Sequence, residues 1–187
     1  EMGQPKKEFG DELVLTLLQP IKLGDLEFVD LTLTEPRGDT LLLADREDAM
    51  GALFVKISRT ASVSPVIAKR MKQRDLQRAA HFFNHFAELP GDEDFGDELA
   101  LPLAEPIEFE KRTVTELTLS EPTGEALQLA DREEGWGEVC ALVAFTAGVP
   151  VDLVRKMRQR DLQRARNFFV HFSDAPSSRP SATTPRS

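Results

Sequence analysis

A chain of 187 residues, 41% of them hydrophobic, has room for one large core or two small ones. Its formal net charge of −9 argues against general affinity for nucleic acid or anionic membranes, and leaves a local basic patch as the route to phosphate. The lone cysteine, Cys140, excludes an intrachain disulfide and fits a reducing compartment, while the charged opening residues and the short apolar run from Val139 to Val151, broken at Pro150, argue against a secretory leader and a bilayer span.

Residues 1–8 are polar and read as a loose lead-in. Leu13, Leu15 and Leu17 then alternate with other residues, as do Phe28 (or Val29), Leu31 and Leu33. That period of two marks strands, and Gly24-Asp25 between the runs makes them a hairpin or short meander. Thr34, Glu35 and Pro36 carry a helix-start signal, for a helix through about Asp48 with Leu41 and Ala44 (or Asp45) inward. A second helix follows from about Ala49 to Ala61, with Met50, Leu53, Ile57 and Ala61 on one stripe. Ser64-Pro65 starts a short third, turning Ile67 and Met71 in. In the last helix, Leu76, Ala79, Phe83 and Phe86 share a stripe, with Phe82 at its edge and Arg74, Arg78, His81 and His85 on another face. Asp75 sits near its start, where a negative side chain suits the positive helix end. Residues 88–94, acidic and holding Pro90-Gly91, form a short linker.

The chain then starts again. Phe9-Gly-Asp-Glu-Leu13 returns as Phe95-Gly-Asp-Glu-Leu99, an offset of 95 − 9 = 86 that holds without a gap through Phe86 and Phe172. Roughly half the aligned positions are identical, and the period is domain-sized, above the ~20–50 residues of solenoid repeats. The fold expected is α+β: a tandem duplication of a small domain, each copy a short antiparallel hairpin followed by about four helices. The copies span 9–87 and 95–174, with a disordered tail at 175–187 that is too polar to order itself. They differ in the second helix, where Lys56 and Arg59 become Leu142 and Phe145. An all-round apolar helix is usually covered, so this face is expected to meet the other copy as an intrachain pseudo-dimer, a second chain, or a client.

No catalytic set emerges: there is no Gly-rich phosphate loop and no GxSxG, and three histidines with one cysteine are too few and badly spaced for zinc. The chain is read as a non-enzyme without metal or cofactor. Asp45-Arg-Glu47 and Asp131-Arg-Glu133 read as solvated faces, since i, i+2 neighbours on a helix point apart. His85 and His171 read as structural. The basic patch of Lys69, Arg70, Lys72, Arg74 and Arg78, recurring as Arg155, Lys156, Arg158, Arg160, Arg164 and Arg166, is the best argument for nucleic acid. In an acidic chain it reads rather as a solvated face or a site for an acidic protein. Phe82 and Phe168 are either core or an exposed contact surface. With Phe86, Phe172, Leu142 and Phe145 they form the candidate partner-binding set.

The order "LTLTEP", "LLLADRE", a hydrophobic helix, "VSPVIAKRM" or "GVPVDLVRKM", and "RDLQRAxxFFxHF" resembles the tail assembly chaperones of Mu-like phages and prophages. The resemblance covers nearly all of each copy, about Phe9–Phe86 and Phe95–Phe172. It implies a chaperone that binds the tape measure protein in the host cytoplasm, keeps it soluble while tail tube subunits assemble around it, and is absent from the mature particle. Two fused copies depart from the family's usual single one. A nucleic-acid-binding regulator and a structural virion component are the alternatives.

Overall fold

A computed structural model describes residues 9–88 and 93–173. The lead-in, most of the linker and the tail therefore lie outside the described residues. The element order is the same in both repeats. The first has β1 (Glu12–Leu23), β2 (Leu26–Thr34), α1 (Gly38–Ala44), α2 (Ala49–Thr60), α3 (Pro65–Arg70) and α4 (Gln73–His85). The second has β3 (Glu98–Phe109), β4 (Arg112–Ser120), α5 (Gly124–Ala130), α6 (Trp136–Ala147), α7 (Val151–Val154) and α8 (Gln159–Ser173). The chain is α+β, two antiparallel hairpins each followed by helices.

Both hairpins close on two-residue turns. Gly24 takes φ +60° in the first; in the second, Glu110 and Lys111 both adopt left-handed backbone, φ 46° and 65°. The second hairpin so makes without glycine a turn that favours it. Alternation points Leu15, Leu17, Leu31 and Leu33 into the first core, and Leu99, Leu101, Leu117 and Leu119 into the second. The helix predicted from Thr34 starts only at Gly38, because Glu35 and Pro36 are held in extended backbone contacts described below.

Each long strand bulges at the same place, between Thr16 and Ile21 and between Pro102 and Ile107. A bulge leaves backbone N–H groups without a ladder partner. The Leu18 N–H donates to Asp75 Oδ2 at 3.0 Å, and the Ala104 N–H donates to Asp161 Oδ2 at 3.0 Å. Both aspartates are buried. Their sequence position suggested only helix-dipole stabilisation; their work is to satisfy the bulge and tie the last helix to the first strand.

Candidate functional site

Glu35 organises the contact between the repeats. It follows β2 and is buried at 3% exposure, where an unpaired carboxylate would be costly. The Arg160 side chain donates through Nε (2.8 Å) and Nη2 (2.7 Å) to its Oε2, and the Arg160 backbone N–H donates to its Oε1 at 2.8 Å. Arg158 Nη1 lies 3.6 Å from the same carboxylate. Arg160 also pairs with Asp11 and stacks 5.6 Å over the Phe86 ring. These carboxylates push the Arg160 pKa above its ordinary value. One residue of the second repeat is thus held by three parts of the first.

Main-chain bonds run alongside. The Gln159 N–H donates to Pro36 O, the Gly38 N–H to Met157 O and the Asp39 N–H to Arg155 O, each at 2.9 Å. A Cβ on Gly38 would meet Arg155 Cα at 3.0 Å, so glycine permits the approach. Through this opening α1 enters the other repeat. Leu41, 1% exposed, joins the second core with Val143, Val154 and Leu162, and is absent from the core of its own repeat. Asp45 at the end of α1 accepts from the Trp136 N–H at 2.7 Å. Of the two residues expected at the pseudo-dimer face, Leu142 lies in the core that Leu41 enters, while Phe145 stays 41% exposed. The contacts between the repeats run from Asp11, the segment 35–45 and Phe86 of the first to Glu105 and the α6–α8 region of the second.

The predicted partner-binding residues separate. Phe82 and Phe168 are fully buried, and Phe86 nearly so. They are core, and the contact surface read onto them is corrected. The residue that covers each is the phenylalanine opening its repeat: Phe9 meets Phe82 edge-on at 5.9 Å, and Phe95 meets Phe168 at 5.7 Å. Phe172 is half-buried, Leu142 is buried, and Phe145 is 41% exposed. His85 and His171 meet Phe86 and Phe172 edge-on.

Much of the basic patch is engaged in contacts within the chain, although most of its side chains stay exposed. Arg70 donates to Lys22 O, Arg78 to Thr16 O and Lys156 to Glu108 O, each pinning a hairpin strand. Arg155 pairs with Asp152 and Arg164 with Glu93. Arg158 bridges Glu35 and Glu105, whose pKa the arginine lowers by its hydrogen bond. Lys69 and Arg74 are exposed. Charge distributed this way offers no continuous phosphate track. Among the described residues no group of three or more His, Cys, Asp or Glu side chains is placed to hold a metal, and no helix is long and apolar enough to cross a membrane.

Among the described residues, apolar surface stays open in two places of interest. One is a groove between α5, α6 and α8, lined by Pro122, Leu127, Val139, Leu142, Phe169 and Phe172. The other is the outer face of the first hairpin, where Val14 and Leu18 are about half exposed, with Val29 exposed opposite the bulge. Their counterparts in the second hairpin are Ala100, Ala104 and Thr115. Residues 100–174 match the family described as phage tail assembly chaperone proteins, E, or 41 or 14. The second repeat resembles a phage tail assembly chaperone. The match begins within β3 and takes in α5–α8, so this chaperone-like repeat includes the groove and the acceptor of α1. It supports a role in phage tail assembly with protein partners. No curated protein and no solved structure matches the chain.

Sequence reasoning missed Glu35, Gly38 and Leu41 as contact residues. The signal was the recurrence of Glu-Pro-x-Gly-x-x-Leu in both repeats, which read as a local helix start.

Proposed function

We propose that the chain is a non-enzymatic tail assembly chaperone that binds the tape measure protein. It keeps that client soluble in the host cytoplasm while tail tube subunits assemble, and is left out of the mature particle. The family match of residues 100–174 carries this reading. The client surface is assigned to the outer face of the first hairpin. A two-stranded sheet with one face on the core normally turns polar residues to water on the other. Here Val14 and Leu18 stand in water, with Val29 exposed opposite the bulge, and the second hairpin shows that the fold does not need them. An exposed apolar face of this kind suits an apolar stretch of a client, and the chain's net charge of −9 keeps the complex soluble.

The test is co-expression with the tape measure protein of the same genome, scoring its soluble fraction and co-purification in high salt. The wild-type chain is expected to rescue the client at fixed stoichiometry. Val14→Asp with Leu18→Asp is expected to lose it, and Ala100→Asp with Ala104→Asp to retain it. A client that stays insoluble with the wild-type chain overturns the function; equal rescue by both double variants overturns the surface.

A further inference from the structure

The first repeat gives α1 to the second, but among the described residues the second repeat's equivalent helix, α5, enters no other repeat. Every donor residue has a counterpart 86 positions on, and the counterparts are open. Glu35, Pro36, Gly38 and Leu41 are buried; Glu121, Gly124 and Leu127 are exposed, and Pro122 is half-buried. Leu41 is 1% exposed where Leu127 is 51%. A Cβ on Gly38 would strike Arg155, whereas one on Gly124 would meet nothing within 4 Å. No contact among the described residues calls for glycine at 124.

The acceptor side shows the same asymmetry in reverse. Gln159 is buried and Arg160 half-buried, but Gln73 and Arg74 are exposed. Val139 and Cys140 are buried, but Leu53 and Phe54 are half-buried. Among the described residues, therefore, the donor of the second repeat and the acceptor of the first are unfilled. The groove between α5, α6 and α8 is the donor end. Its Glu121, Pro122, Leu127 and Phe172 correspond to Glu35, Pro36, Leu41 and Phe86, all of which touch the second repeat or lie in its core.

We propose that a second copy of this chain fills that groove with the α3–α4 junction of its first repeat, joining chains head to tail. Glu121 would pair with Arg74 of the next copy, Pro122 O would accept from its Gln73 N–H, the Gly124 N–H would donate to its Met71 O, and Leu127 would enter its first core. Where the internal contact adds an Arg37–Glu105 ion pair, both counterparts, Thr123 and Gln19, are uncharged, so no charge is stranded. A contact between different faces leaves a free end after every addition, giving an open helical filament or a ring if the rotation closes. The proposal stands apart from client binding, which is assigned to a different surface.

Sedimentation velocity on the full chain over a wide concentration series tests it. The wild-type chain is expected to form species larger than a dimer. Leu127→Asp (or Gly124→Val) removes the donor and Arg74→Glu the acceptor; each is expected to leave a monomer. Because these positions are exposed, circular dichroism should stay unchanged. Mixing Leu127→Asp with Arg74→Glu pairs the one intact acceptor with the one intact donor, and is expected to give dimers and nothing larger. A wild-type chain that stays monomeric, oligomers that survive both variants, or a mixture that forms no dimer overturns the proposal. So does loss of tape measure rescue on Leu127→Asp with self-association intact, which would give the groove to the client.

Discussion

Asp161 is held in the fold by two demands that conflict. The Ala104 N–H wants a carboxylate, yet burial and the nearby Glu35 charge penalise one. Burial dominates, and the Asp161 pKa is pushed up from 3.8 to about 6. The sign of the consequence follows from proton counting. Between those two values the folded chain holds a proton that the unfolded chain has lost. The stabilising contribution is thus full below the unfolded pKa and disappears as pH rises through about 6. At about 1.4 kcal/mol per pKa unit, discounted for residual solvent screening, the change is on the order of 1–2 kcal/mol. Denaturant unfolding of the wild-type chain and Asp161→Asn, run from about pH 4 to about 7.5, should show the variant gaining on the wild type by that amount. A difference that does not move with pH would mean that Asp161 titrates like an ordinary carboxyl.

Among the elements, α1 and α5 carry nearly the same pattern, Gly-Asp-Thr-Leu-Leu-Leu-Ala and Gly-Glu-Ala-Leu-Gln-Leu-Ala, and have different surroundings. Periodicity could place Leu41 inward but could not say into which core, because a helix stripe records burial and not the identity of what covers it. The same limit applies to Phe82: periodicity puts it at the edge of the α4 stripe, but Phe9, distant in sequence, packs on it and it is fully buried. The hairpins and the helices that follow each of them were legible because they rest on local period. The bulge–aspartate ties and the Glu35 contact were not, since each joins positions far apart along the chain. The two leucines offer a direct test. Leu41→Ala removes a side chain 1% exposed and should cost about 2–5 kcal/mol. Leu127→Ala, at 51% exposure, should stay within about 0.5 kcal/mol in dilute solution where chains are apart. Equal losses in urea melts would show that α5 is as well packed as α1, contrary to the exposure of Leu127.

At the scale of the whole molecule, the fusion makes one folding unit of two repeats because the link is polar and buried as well as covalent. Glu35 is the point on which it turns: its carboxylate answers two guanidinium groups and one backbone N–H, and removing the charge leaves those donors facing a neutral group. Arg160 keeps 28% of its side chain in solvent, so the cost falls below that of a fully buried pair, on the order of 2–3 kcal/mol. Trp136, the only tryptophan, sits on the second repeat with its backbone N–H donating to Asp45 of the first, so its indole lies beside the contact and its fluorescence reads it. Circular dichroism reads the helices of both repeats. In the wild-type chain the two signals should melt together, as they must when the repeats unfold as one. In Glu35→Gln the fluorescence transition should come first, with helix content persisting to higher denaturant, because each repeat still owns a hairpin and a phenylalanine core. Coincident transitions in the variant would mean that Leu41 and the main-chain bonds suffice to couple the repeats. The weight of the contact would then lie in the apolar insertion of α1 rather than in the buried charge.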